Sequence, residues 1–182
     1  MYSSEVNKYI KQELSKFLKP FGYKYVKELY GFVRHTNSGF FDLGTPIVNY
    51  NPLFKISFVF AIRINVVEEI YIPFSRTMSG YEQFSSTITI RYAYFKKQND
   101  FYYHLYNMEE LEIALKDFKS VFIESVTPFF EKYSNTDSVG ELIKNNEIMK
   151  IDSSQTPDNY LYWLIIAKLC KLSNLKELLD LY

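Results

Sequence analysis

Cysteine, histidine and tryptophan are nearly missing from this sequence, which has one Cys, two His and one Trp. A lone thiol excludes an intramolecular disulfide. Cys170, set among Ile166, Leu169 and Leu172, reads as a small buried hydrophobe rather than a reactive nucleophile. Neither His35 nor His104 is followed by a His, Cys or Asp at i+2 or i+4, so no metal site is expected, and no cofactor. The six glycines stand singly, leaving no phosphate-cradling loop, dinucleotide fingerprint or Gly-x-Ser-x-Gly elbow. A surplus of one charge sign is also lacking: 21 Lys and Arg balance 21 Asp and Glu, so no overall field draws nucleic acid or an anionic membrane. The longest apolar run, LYWLIIA at 161–167, is far shorter than the roughly 20 residues of a membrane span. With no basic start leading into an apolar run at the N-terminus, the cytoplasm is the expected compartment.

Aromatic residues, by contrast, are abundant, with 17 Tyr and 16 Phe. Tyrosine combines a large contact area with a polar tip, which suits both strands and protein interfaces. A chain of 182 residues is expected to form one domain, 1–106 as helix plus sheet and 107–182 as a helical tail packed on it.

Along the chain, residues 4–19 predict an amphipathic helix capped by Ser4 and ended by Pro20 and Gly22. YKYVKEL and YGFVRHT predict a hairpin, and residues 37–52, with Gly39, Gly44, Pro46 and Pro52, a long loop with some irregular strand. FKISFVFAIRIN (54–65) alternates without fault and predicts one strand, with apolar residues on one face and Lys55, Ser57, Val59, Ala61 and Arg63 on the other. Asn65 and Glu68 have capping-box spacing ahead of a short helix halted by Pro73, continuation of the strand being the alternative, and residues 73–86 read as a second loop. TITIRYAYF (87–95) repeats the alternation, and FYYHLYN predicts a last strand. From Asn107 the period becomes helical: Asn107 caps one helix, Pro128 splits it with Thr127 capping its second part, and DSVGELIKNN adds a short one. A buried helix then starts at Thr156 and Pro157, and NLKELLDLY closes a helical hairpin. Helix, strands, then helices is the order of an α+β fold with a mainly antiparallel sheet of about four to five strands.

Candidate chemistry is sparse. Arg63 and Arg91 both fall on the small-residue faces of strands expected to pair, where two guanidinium groups, with Glu68 and His35 near the strand ends, would suit an anionic ligand. Snorkelling of each arginine toward Glu68, Glu69 or solvent is the bland alternative. Stacking of single-stranded RNA on Tyr92, Tyr94, Tyr102 and Tyr103 is not expected, because RYAYF lacks the glycine-aromatic pattern of such modules and the net charge is zero. No catalytic residue is assigned.

LKPFGYKYVKELYGFVR, FKISFVFAIRINVVEEI, ESVTPFFEKYSNTDSVGELI and YLYWLIIAKLCKLSNLKELL together resemble a broad group of uncharacterised bacterial α+β domains. In that group a helix and a glycine-aromatic turn precede an antiparallel sheet and a helical tail closes the domain. Some of its members are suspected immunity proteins, which bind and block a toxin. The resemblance implies a non-catalytic protein-binding module with a protein partner, and it transfers no functional residue. An anion-binding protein or enzyme using Arg63 and Arg91 is the alternative.

Overall fold

In the computed structural model, which describes residues 3–75, 80, 82–151 and 157–173, the first element is helix α1 (Ser3–Leu18). Its buried residues Val6, Ile10, Leu14 and Leu18 recur every fourth position, as the sequence period predicts. Pro20 enters a 3-10 turn (Lys19–Phe21), and Gly22 at φ 83 takes the left-handed conformation that ends helical growth.

The chain is α+β, as expected. The strands are β1 (Lys24–Val26), β2 (Gly31–His35), β3 (Gly39–Gly44), β4 (Ile47–Asn49), β5 (Phe54–Ile56), β6 (Val59–Ile64), β7 (Ile88–Arg91) and β8 (Tyr103–Leu105). They form a five-stranded antiparallel sheet ordered β1-β2-β3-β6-β7 and a three-stranded sheet ordered β4-β5-β8. The remaining α-helices are α2 (Asn65–Tyr71), α3 (Tyr92–Phe95), α4 (Met108–Val121), α5 (Thr127–Lys132), α6 (Thr136–Lys144), α7 (Ile148–Ile151) and α8 (Pro157–Leu169).

Two compact units are distinguished. The first comprises Met1–His35, Asp42–Phe60 and Arg91–Phe129. Its core is aromatic: Phe58 stacks on Phe118 at 3.9 Å, Tyr92 meets Phe58 edge-on at 5.3 Å, and Phe17 meets Phe122 at 5.6 Å. The second comprises Thr36–Phe41, Ala61–Ile90 and Phe130–Tyr182. Within it α8 packs on α2 and α6, Phe41 stacks on Phe130 at 4.5 Å, and Tyr71 on Tyr162 at 4.0 Å.

Several local expectations are corrected. The alternating run 54–65 is two strands in two different sheets, although the buried residues Phe54, Ile56, Phe58, Phe60, Ile62 and Ile64 keep their period through the break. The break falls where Ser57 N donates to Pro46 O and Ser57 Oγ to Phe101 O, removing Ser57 from any ladder. Residues 37–52 hold β3 and β4, so the glycines there are strand residues rather than turn residues. TITIRYAYF stops being a strand after Arg91, because the buried Tyr92 ring is drawn among Phe58, Phe60 and Phe101 and the chain coils into α3. Thr127 does not cap a helix: α4 continues through a π-turn (Phe122–Val126) into α5, and the widened turn accommodates Pro128. The Asn107 cap is present, its side chain accepting from Glu110 N at 2.9 Å. The expected Thr156 cap and the 174–182 helix lie outside the described residues.

Candidate functional site

Glu68 is the most deeply placed charged group described, with a side-chain exposure of 0%. The predicted capping box is not formed. Asn65 N donates to Ser38 O instead, and the Glu68 carboxylate turns inward to three hydroxyls of the second unit. Ser85 Oγ donates to it at 2.6 Å, Thr87 Oγ1 at 2.8 Å and Tyr162 OH at 3.1 Å. Burial, and then the Glu68 charge, push the Tyr162 phenol well above its ordinary range, which keeps it a donor.

Arg63 completes this cluster. Its Nη1 lies 3.9 Å from the Glu68 carboxylate and shares its two hydrogens among Glu82 O, Ser85 O and Ser85 Oγ, each at 2.8 Å, while Nε donates to Asn65 Oδ1 at 3.0 Å. Ser85 has one hydroxyl hydrogen, and the short contact to a carboxylate outcompetes the contact to Glu82 O. Glu68 and Arg63 thus fasten residues 82–87 to β6 and α2.

Of the four residues suggested by sequence, the structure brings together Arg63 and Glu68. Arg91 and His35 belong to the first unit, and both are exposed, at the ends of β7 and β2. Thr87 N donates to Ile62 O beside Arg63, whereas Tyr92 N, next to Arg91, donates to Phe58 O.

In the first unit a second polar cluster anchors β8. Tyr103 OH donates to Asp117 Oδ2, Tyr92 OH therefore donates to Tyr103 OH at 2.9 Å, and Lys96 Nζ reaches both Asp117 oxygens at 3.0 and 2.9 Å. Burial works against the Asp117 charge, but donation from Tyr103 and Lys96 prevails and holds its carboxyl below the ordinary range. Burial, reinforced by Asp117, raises both phenols well above theirs. With its carboxylate saturated by donors, this cluster is a poor general base and a good anchor.

That anchor fixes which way the neighbouring side chains point. Phe54, Ile56 and Leu105 are the buried face of the three-stranded sheet, at 1%, 1% and 2% exposure. On the other face Val48, Lys55 and His104 lie opposite one another across the three strands. Around this row Tyr50, Tyr102, Tyr106 and Val48 are 59%, 44%, 56% and 46% exposed, and the Lys55 ammonium sits 5.3 and 6.0 Å from the Tyr50 and Tyr102 rings. Tyr50, Tyr102 and Tyr106 flank the ends of β4 and β8, and exposed tyrosines gathered around an ammonium group have the composition of a protein-binding hot spot. Sequence reasoning missed this face because β4 lies in a segment read as loop. The available signal was the alternation of Tyr102, His104 and Tyr106 with the inward Tyr103 and Leu105.

One half-buried acid is left poorly served. Asp42 on β3 has an Oδ1 with no hydrogen-bond partner, and burial pushes its carboxyl up to about 6 against a stabilising Leu43 N–H. A raised carboxyl favours the folded state fully below its unfolded value of 3.8, and that contribution is lost as pH rises through about 6. Asp42→Asn is therefore expected to raise stability at about pH 7.5 by about 2 kcal/mol and to flatten the stability change between about pH 4 and 6. Thermal melts of both proteins across that range check it; a variant less stable at neutral pH contradicts it.

No helix among the described residues is long and apolar enough to cross a membrane, and no group of three His, Cys, Asp or Glu among them could hold a metal ion. The half-buried Cys170 donates its thiol to Thr136 O at 3.4 Å, and burial followed by the Asp137 charge raises its pKa. No protein family, curated protein or solved structure matches the chain.

Proposed function

We propose that the protein acts in the cytoplasm by binding another protein rather than by catalysis, and that an immunity-type inhibitor of a toxin is its most concrete form. The observation that supports this reading is the exposed tyrosine face around the Val48–Lys55–His104 row. Tyrosine rings are large and amphipathic and have few rotatable bonds, so they lose little side-chain entropy on association, and such a face binds with less ordering cost than one built from long flexible side chains. The polar clusters carry no comparable argument for catalysis, because their carboxylates already accept from neighbouring donors.

Co-expression with the product of the adjacent gene, followed by titration of the purified pair, is the test. Tyr50→Ala combined with Tyr102→Ala is expected to weaken the complex by about a hundredfold, since two hot-spot tyrosines contribute at least about 2.7 kcal/mol together. Unchanged affinity in that variant defeats the proposal, and a neighbour without toxin-like character defeats its immunity form. A homodimer dissociated by the same pair would assign the face to self-association instead.

A further inference from the structure

Charge is unevenly distributed in this neutral chain. Residues 1–35 contain six Lys and one Arg against three Glu, a surplus of four positive charges (seven minus three), so the remainder carries the matching deficit. Within the first unit the fold concentrates that surplus. Lys8 and Lys11, one turn apart on α1, line a groove of about 440 Å3 whose opposite wall is Tyr25, Tyr30 and Phe32 of the β1–β2 hairpin. Adjoining hollows continue along α1 past Gln12 and Ser15 to Lys19 and Lys24.

None of these three hollows has a carboxylate in its lining. Lys16, which also lines the second hollow, and Lys119 are neutralised by Glu13 at 3.0 and 3.2 Å. Lys8, Lys11, Lys19 and Lys24 make no ion pair among the described residues. Like charges on neighbouring turns repel, and an anionic ligand would relieve that repulsion.

The shape of the groove selects among anions. Lys8 and Lys19 are eleven residues apart on and just beyond α1, roughly 16 Å, the length of about five residues of extended peptide. The Tyr25 ring is capped by the Lys11 ammonium at 3.7 Å and meets Phe32 edge-on at 5.4 Å, so it offers no open platform for a nucleobase. Tyr30, 75% exposed at the hairpin, can cover an apolar side chain placed between two acidic ones.

We propose that this groove is a second binding site, independent of the tyrosine face, and that it takes an extended acidic segment of a protein partner. Carboxylates engage Lys8, Lys11, Lys19 and Lys24 while an intervening apolar side chain rests on the exposed Tyr30 ring.

Anisotropy with the full chain tests this, using a fluorescein-labelled peptide of about six residues alternating glutamate with phenylalanine. Two further probes are its glutamine counterpart and a labelled oligouridylate of equal charge. The glutamate peptide is expected to bind at least about tenfold tighter than the glutamine peptide and to weaken as salt rises from about 50 to about 200 mM. Lys8→Glu with Lys11→Glu is expected to weaken it by at least about tenfold, and Tyr50→Ala with Tyr102→Ala to leave it unchanged. Lys8→Gln with Lys11→Gln, at exposed positions, serves if charge reversal impairs folding. Equal binding of the two peptides, no binding of either, tighter binding of oligouridylate, or insensitivity to the lysine variants would each overturn the proposal.

Discussion

Glu68→Ala is expected to destabilise the fold by about 3–5 kcal/mol, lowering Tm by on the order of 10 °C. The carboxylate is fully buried, and its removal leaves Ser85, Thr87 and Tyr162 hydroxyls without their acceptor and Arg63, only 10% exposed, without its counter-ion. Orphaning a buried charge costs more than the pair contributes over an apolar substitute, because the surviving guanidinium keeps its desolvation penalty and loses its compensation. Arg63→Ala is expected to be severe for the same reason, with the donations to Asn65, Glu82 and Ser85 lost. The double variant is expected to cost clearly less than the sum of the two, since each single change leaves the other charge stranded. Arg91→Ala, at an exposed strand end, should stay within about 0.5 kcal/mol of the parent. Chemical denaturation of the four variants beside the parent decides the matter. A stable Glu68→Ala protein would mean that Arg63 and Glu68 are available to a ligand.

Much of the fold was legible because hydrophobic period reports burial directly. The α1 stripe, the β1–β2 hairpin, the Asn107 cap and the order of helices and strands all follow from it. What period does not report is which backbone a buried residue pairs with. Residues 54–64 bury every second side chain across a change of sheet, so their alternation is real and the single strand inferred from it is not. Capping patterns mislead for a related reason. Asn65 and Glu68 have the right spacing, but the strong donors Ser85, Thr87 and Tyr162, the last 94 residues away in sequence, outcompete a local backbone N–H. Arg63 was legible as unusual, since an arginine on a mild face must find acceptors. Its acceptors in a loop twenty residues on carry no sequence mark. The tyrosine face required β4, which its flanking glycines and prolines concealed.

Glycine on β3 offers the sharpest contrast between two substitutions of one kind. Gly39→Ala is expected to cost about 3 kcal/mol or more, and Gly44→Ala, five residues along the same strand, to be neutral or stabilising by up to about 1 kcal/mol. A methyl carbon on Gly39 would lie 1.9 Å from Arg63 O and 2.7 Å from Arg63 C, backbone atoms that have no rotamer with which to escape. At Gly44 the nearest atom is Val59 O at 3.9 Å, an ordinary contact, so alanine there mainly reduces the freedom of the unfolded chain. The Gly39 clash is relieved only by moving β6 at Arg63, the residue whose side chain ties Ser85 and Glu82 to Glu68. Steric and electrostatic damage should therefore converge on one structure. In a Glu68→Ala background, where that structure is already loosened, Gly39→Ala is expected to cost less than in the parent, whereas the effect of Gly44→Ala should be the same in both. Additive losses for Gly39 and Glu68 would show that the close approach of β3 to Arg63 and the buried carboxylate stabilise the fold separately.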